Sequence, residues 1–465
     1  MRMEPRRLIP GDLARASVRA RALLAGLSAG LRAWMVDETT RQIVTVVAGH
    51  SLRLALGLLS SALLARGLGP DGLSLFSVIG ATALIGRTVA DFGLSQSGVR
   101  QISADLATCP PQARRTYSAF AWLKLTGSVL ITALTLLLAG PLAGVVNAPS
   151  DSGPFLIRLA TLGVLAAGLG GVVSTPLQAL RRFRVLVLTE TASIVVIIGL
   201  VGVLLFTGAL DVPSALVVGA VAALVTACFN FLALPRDWRQ AAAMRTGPLQ
   251  NASRALLAFG GWLWVSSMLS ILLSQLDLLL LNRLMDAGTV GLYALALNLA
   301  VKADFFRLAL HTVLLPLVSG HSSAAAFRQY ARHSFARGAV LAGVLVSVTP
   351  LIRPFVLAVY GPAYAPSIPI LYGLLGVVLL DLLTWPILLL AFPMNIPRWM
   401  VAADVVRVVV LFALGRALIP GLGVYGAVAA KLCATVAGAL VLGGVIARRL
   451  GHDSAVAPAA PGNAP

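Results

Sequence analysis

Charge is what this sequence has least of. Only 11% of its 465 residues are Asp, Glu, Lys or Arg, against 58% hydrophobic, and the mean hydropathy is +0.91. So few charges cannot cover the surface of a water-soluble chain of this length, which excludes a soluble globular protein and indicates an integral membrane one. Cysteine is scarce as well. Cys109, Cys228 and Cys433 are scattered, with no CxxC pair and no His/Cys cluster, so neither a disulfide framework nor a metal site is expected. No Gly-rich phosphate loop or loop-borne His/Asp/Ser grouping occurs, so no enzyme constellation is expected. The loops are also too short to hold the extramembrane region that a membrane glycan polymerase or transferase needs. Acids are outnumbered, 17 against 36 bases, for a net charge of +19. The bases stand in small clusters between apolar segments, the pattern of loops beside anionic membrane lipid rather than of a nucleic-acid surface.

What is present is a series of apolar segments far longer than the 9–11 residues of a barrel strand, hence helices. Twelve are expected, at about 43–66, 73–98, 116–139, 155–178, 185–207, 213–235, 256–281, 288–318, 335–357, 366–391, 396–416 and 422–447. Loops on one side carry Arg100, Arg114 and Arg115, then Arg181, Arg182 and Arg184, then Arg236, Arg239, Arg245 and Arg254, then Arg328, Arg332 and Arg337, and Arg398. Opposite loops such as PLAGVVNAPSDSGP contain no Lys or Arg. The positive-inside rule then puts both termini in the cytoplasm. Residues 1–42 read as a basic tail in which Leu23, Leu27, Leu31 and Trp34 recur at helical spacing, as in a helix lying on the membrane surface. The rival for that stretch is a signal peptide with ALLAGLSAGL as its apolar core.

The chain is organised around the hairpin 53–101, two apolar helices joined by a short loop from Gly67 to Gly72. An offset of 217 residues lays ARGLGPDGLSLFS (65–77) on NRLMDAGTVGLYA (282–294) without a gap. Helices 1–2 and 7–8 thus open two halves of six helices each, and an even number gives both halves the same orientation. The expected organisation is a first lobe over 43–235, a basic linker over 236–255, a second lobe over 256–447 and a C-terminal tail over 448–465.

ALLARGLGPDGLSLFSV (62–78) followed by DFGLSQSGVRQ (91–101) resembles the opening of the polysaccharide and O-antigen flippases of the multidrug/oligosaccharidyl-lipid/polysaccharide exporter superfamily. The similarity continues through PLQALRRFRV (176–185), SQLDLLLLNRLMDAGTVGLYALAL (274–297), VYGPAYAPSIPILYGLLG (359–376) and LIPGLGVYGAVAAKLCATVAG (418–438). The resemblance implies an all-α polytopic membrane protein of about twelve transmembrane helices, in two six-helix lobes around a central cavity, working by alternating access. It implies a lipid-linked oligosaccharide as substrate, in the bacterial inner membrane. The basic lead is longer than is usual there. Twelve helices also leave no extra pair for a lipid groove, unlike the more distant peptidoglycan-precursor flippases, which usually carry fourteen.

Charges inside the helices cost roughly 2.5–3.5 kcal/mol each on insertion scales, so they mark wet cavities or partnered sites. Arg53, Arg87, Lys302 and Arg307 are the substrate-binding candidates, because guanidinium and ammonium groups suit a pyrophosphate. Arg87 and Asp91, four apart on one helix face, also read as a bridge that neutralises both. Asp91, Asp277 and Asp304 are the candidates for coupling or gating, with Asp304 occupying the place of Arg87 in the repeat. His311 reads as a pH sensor or a structural residue. Glu190, Asp381 and the Asp404/Arg407 pair read as holding helices together, Lys431 and Arg416 as helix-end or packing residues, and Lys124 and Arg158 as snorkelling from helix ends. No cofactor is expected beyond a coupling proton or sodium ion. A polysaccharide polymerase and export machinery are the expected partners. Three rivals remain: a drug/cation antiporter of the same superfamily, a membrane glycan polymerase or transferase, and a non-transporting scaffold.

Overall fold

The computed structural model describes residues 38–243, 250–303, 307, 324–391, 394 and 396–455. The tail expected to lie on the membrane, Asp304 and His311 fall outside the described residues. Two compact units are present, Met1–Leu54 and Ala55–Pro465, and the helix bundles lie within the second. Among the described residues all regular structure is helical.

The first element, α1 (Glu38–Asp91), joins both arms of the opening hairpin into one helical run, broken at Gly69 with φ 67° and ψ 178°. The expected loop from Gly67 to Gly72 is therefore a single-residue break. Glycine takes that positive φ at no steric cost, and Pro70 after it has no N–H to continue the ladder. The apolar stretch Ser51–Thr108 is 58 residues long. As one straight rod it would measure about 87 Å, nearly three hydrocarbon-core thicknesses, so it crosses twice around the break. The second arm ends at Asp91, earlier than expected. Phe92 and Gly93, with φ 47° and 68°, turn the chain into a separate helix, α2 (Leu94–Thr108).

There follow α3 (Pro110–Leu137), the short α4 (Ala139–Val145), α5 (Gly153–Ala179), α6 (Phe183–Phe206), α7 (Val212–Ala233) and the short α8 (Arg236–Ala243). Past the linker come α9 (Gln250–Leu284), α10 (Ala287–Ala303), α11 (Ala324–Val359), α12 (Ser367–Leu388), α13 (Pro397–Leu422) and α14 (Val424–Ala455). Among the described residues ten stretches are long and apolar enough to cross a membrane, and α10 is a shorter apolar helix. With the first stretch crossing twice and α10 added, the described residues supply about twelve crossings of a multi-pass membrane protein. Starts are set locally. Asp211 accepts from the Ser214 N–H at 2.8 Å while Ser214 accepts from the Asp211 N–H at 2.9 Å, a reciprocal cap for α7. Asp286 accepts from the N–H and hydroxyl of Thr289, both at 2.9 Å, at the head of α10, and these bonds hold its carboxyl below the usual carboxylate range.

Two bundles result. In the first, α5 packs on α7, α3 and α2, and α6 on α7; in the second, α13 packs on α14 and α9, and α12 on α11, α14 and α10. The offset of 217 residues lays α3 on α11, α5 on α12, α6 on α13 and α7 on α14, so the repeat extends through all of these helices. One close approach depends on the absence of a side chain. A Cβ on Gly291 in α10 would stand 1.9 Å from the carbonyl oxygen of Pro70, which is backbone and cannot rotate aside. Gly291→Ala should therefore destabilise the fold by about 1–3 kcal/mol, seen as a lower unfolding midpoint in detergent. An unchanged midpoint would show that the two segments are not packed this way.

Candidate functional site

Lysine occurs three times in the sequence, at 124, 302 and 431, and each stands inside an apolar helix, while the loops carry arginine. Two of the three are locked into ion pairs. Lys431 of α14 meets Asp277 of α9 at 2.5 Å, and the Tyr293 hydroxyl of α10 donates to the same carboxylate oxygen at 2.5 Å. The other Asp277 oxygen accepts the Leu278 N–H at 3.0 Å, and the residue is only 1% exposed. Asp277 thereby ties three helices of the second bundle together. Lys431, expected as a helix-end or packing residue, is its counter-ion. The two lie seven residues from Leu284 and from Val424, helix ends on the same side, hence at matching depth. That depth match was the available sequence signal.

In the first bundle Lys124 of α3 pairs with Asp91 at the end of α1. Ser95 donates to Asp91 at 2.5 Å and accepts from Lys124 at 3.2 Å. Lys124 is 5% exposed, so it is buried rather than snorkelling, and Asp91 is neutralised by Lys124 rather than by Arg87. The reason is room. Gly171 of α5 leaves space where a Cβ would stand 2.9 Å from the lysine Cε.

That pairing leaves Arg87 exposed, with no ion pair or hydrogen bond among the described residues. Lys302 of α10 donates to Asn298 one turn earlier, and its Cε lies 3.8 Å from the position of a Cβ on Gly57 in α1. Arg307 lies over the Trp385 ring, 4.6 Å from its centroid. Arg53 is half-buried and belongs to the unit Met1–Leu54. With Asp304 outside the described residues, its exchange with Arg87 and its spacing from Arg307 rest on the sequence.

Each bundle holds a cavity, and the two differ in chemistry. The second bundle encloses about 480 Å³, reached by Arg307, Asp381, Trp385, Asp404, Arg407 and Lys431. Arg407 on α13 stands 3.6 Å from Asp381 on α12 and 3.7 Å from Asp404 on its own helix. The Asp404/Arg407 pair read from sequence is therefore present, with Asp381 joined to it. The first bundle encloses about 220 Å³ lined by aliphatic side chains and three threonines.

The bundles are pinned to each other at the end away from the arginine loops. Tyr364 donates its hydroxyl to the Ala65 carbonyl at 2.7 Å, Ser61 and Tyr360 share a hydrogen bond at 2.8 Å, and Arg66 reaches the Ala358 carbonyl. Asn282 donates to the Val146 carbonyl at 2.6 Å, and Asn147 to the Asn282 carbonyl at 3.0 Å. The 217-residue offset carries Ala65 onto Asn282 and Asn147 onto Tyr364, so one contact is the two-fold mate of the other. The sequence carries a signal for this: Ala-Pro-Ser at 148–150 recurs at 365–367, at the same offset. At the arginine-loop end α9 meets the first bundle. Phe92 stacks on Trp264 at 5.9 Å, the Arg100 guanidinium lies 4.1 Å from the Phe259 ring, and a Cβ on Gly93 would stand 2.0 Å from the Gly260 carbonyl.

Comparison with known proteins agrees with this geometry. Residues 40–321 match the family model described as polysaccharide biosynthesis protein. A putative O-antigen transporter of Shigella flexneri is 23% identical over 278 residues, 58% of this chain and 64% of that protein, so the match spans under two thirds of its length. Among solved structures, an inward-facing multidrug resistance MATE family transporter of the MOP superfamily superposes with a TM-score of 0.75 at 14% identity, over 87% of this chain and 96% of that one. The lipid II flippase MurJ, in an inward closed conformation, gives 0.67 at 13% identity over 89% and 90%. These likenesses show the fold: two helical bundles arranged as in those two transporters.

Proposed function

This chain belongs to the polysaccharide biosynthesis protein family, and we propose that it translocates an undecaprenyl-pyrophosphate-linked oligosaccharide across the bacterial inner membrane by alternating access. The observation that carries the reading is Arg87. It is a guanidinium within a membrane-spanning helix, exposed, while the carboxylate four residues away is committed to another cation. Such a charge is tolerated where water or an anionic ligand meets it, and its planar donors match phosphate oxygens. Lys302 adds a second cation for the pyrophosphate and Arg307 serves any sugar acids, while the polyprenyl tail stays in lipid; Arg53 is a further substrate-binding cation in this reading. The pinned end, away from the arginine loops, is the outer one when both termini are cytoplasmic. Opening there and closing at the other end releases the head group. A proton or sodium gradient, or the membrane potential at about 2.3 kcal/mol per charge per 100 mV, drives the return. A polysaccharide polymerase acts next on the exported unit.

The rival within the superfamily is a cation antiporter. A cationic drug calls for an acidic, aromatic-rich cavity, whereas Arg87 and Lys302 are basic and aromatics make up 6% of the chain. A deletion strain separates the classes. It should accumulate the lipid-linked oligosaccharide, measured in lipid extracts; loss of its synthesis would point to an enzyme and overturn the reading.

A further inference from the structure

The two bundles share one helical plan but not one chemistry. The 217-residue offset carries Asp381 onto Val164, Asp404 onto Val187 and Thr435 onto Val218. Val164 lines the cavity of the first bundle as Asp381 lines that of the second. The first bundle fills these three positions with valines, while Glu190 stands in the place of Arg407, so the shared plan does not require the two aspartates or the threonine. Ionisable groups at membrane depth that the fold does not need mark a ligand site.

Arg407 and Thr435 keep hydrogen-bonding capacity to spare. The two Arg407 contacts, at 3.6 and 3.7 Å, are ion-pair distances too long for hydrogen bonds, and its buried Nε has no partner. Its place is set by Gly438, where a Cβ would stand 2.4 Å from the arginine Cγ and Cδ. Thr435, only 4% exposed, lines the same cavity with a hydroxyl that has no partner among the described residues. Ser266 and Ser270, one turn apart on α9, line it too, their hydroxyls likewise without a partner among the described residues.

The ligand must suit donors and acceptors set side by side. Lys431 is committed to Asp277, and Arg307 and Arg407 are balanced by Asp381 and Asp404, so the cavity has no net positive charge to hold a phosphate, which offers acceptors alone. A bare cation would be repelled by the guanidinium between those carboxylates. A polyol fits both: its hydroxyls donate to Asp404, and its oxygens accept from Arg407 and Thr435. We propose that the second-bundle cavity is a glycan subsite, which holds sugar residues of the transported lipid while the pyrophosphate rests near Arg87 and Lys302. Its volume of about 480 Å³ falls within the roughly 300–1,000 Å³ of small-molecule sites. The inference rests on the translocation reading above and adds which bundle selects the sugar.

The test uses the full chain in nanodiscs and two radiolabelled probes, undecaprenyl pyrophosphate and undecaprenyl pyrophosphate carrying a neutral disaccharide. Wild type should bind the glycosylated probe about tenfold or more tightly than the bare one, as sites built to pair hydroxyls do. Asp404→Asn and Thr435→Val should each erase most of that preference and leave binding of the bare probe unchanged. Arg87→Ala should weaken both probes alike. Thr435→Val removes one hydroxyl at constant shape, so it decides the matter if Asp404→Asn misfolds. A preference that survives Thr435→Val, or loss of sodium binding in Asp404→Asn with the preference intact, would overturn the glycan subsite. Failure of wild type to bind either probe would instead refute the translocation reading itself.

Discussion

Lys431→Met should lower the stability of the protein by about 3–5 kcal/mol, because it leaves Asp277 charged and buried with no counter-ion. Asp277 is 1% exposed, and Lys431 at 2.5 Å is its salt-bridge partner among the described residues. The Tyr293 hydroxyl and the Leu278 N–H stay in place but supply no charge. Denaturant or thermal unfolding in detergent reads the loss. The control is the double variant Asp277→Asn/Lys431→Met. It removes both charges while Asn still accepts from Tyr293, and replacing a buried pair by neutral groups of similar volume is often close to neutral. The double variant should therefore recover most of the stability. If it is no better than the single variant, the ion pair is not what the lysine supplies.

The second large effect is on transport. Arg53→Ala with Arg87→Ala should abolish surface glycan when the variant is the only copy in a deletion strain. Hydrogen bonds to charged groups are worth about 1.5–3 kcal/mol each, so each arginine lost should cost about ten- to a hundredfold in capture of the pyrophosphate. Arg87→Ala alone should leave unfolding within about 0.5 kcal/mol of wild type, as expected of a surface position with no partner to orphan. Loss of transport with stability retained is the opposite signature to Lys431→Met. Intact glycan in the double arginine variant would mean that the cationic set does not hold the substrate.

Helix count and repeat were legible in the sequence because they rest on local signals: apolar length, arginine in alternate loops, and the 217-residue offset. The break at Gly69 was legible too, from Gly followed by Pro, though not its confinement to one residue. The pairings were not, for a physical reason. Asp91 and Arg87 share a helix face, so sequence spacing favours their bridge; Lys124 wins from another helix because Gly171 lets it approach. Asp277 and Lys431 are 154 residues apart, and only their equal depth connects them before the helices pack. The polar cavity of the second bundle was hidden similarly. Asp381 does join two helices through Arg407, as its sequence reading has it, but only the comparison with its repeat mate, Val164, sets the two cavities apart.

Translocation itself is tested most directly by a leaflet assay with the purified full chain in lipid vesicles. Lipid-linked oligosaccharide placed in one leaflet is followed by its exposure to a membrane-impermeant sugar-cleaving enzyme outside. Vesicles holding the wild-type protein should expose the inner-leaflet pool, while protein-free vesicles, and vesicles holding Arg53→Ala/Arg87→Ala, should keep it protected. Equal protection in wild-type and protein-free vesicles, across every ion gradient and membrane potential applied, would contradict translocation by this chain.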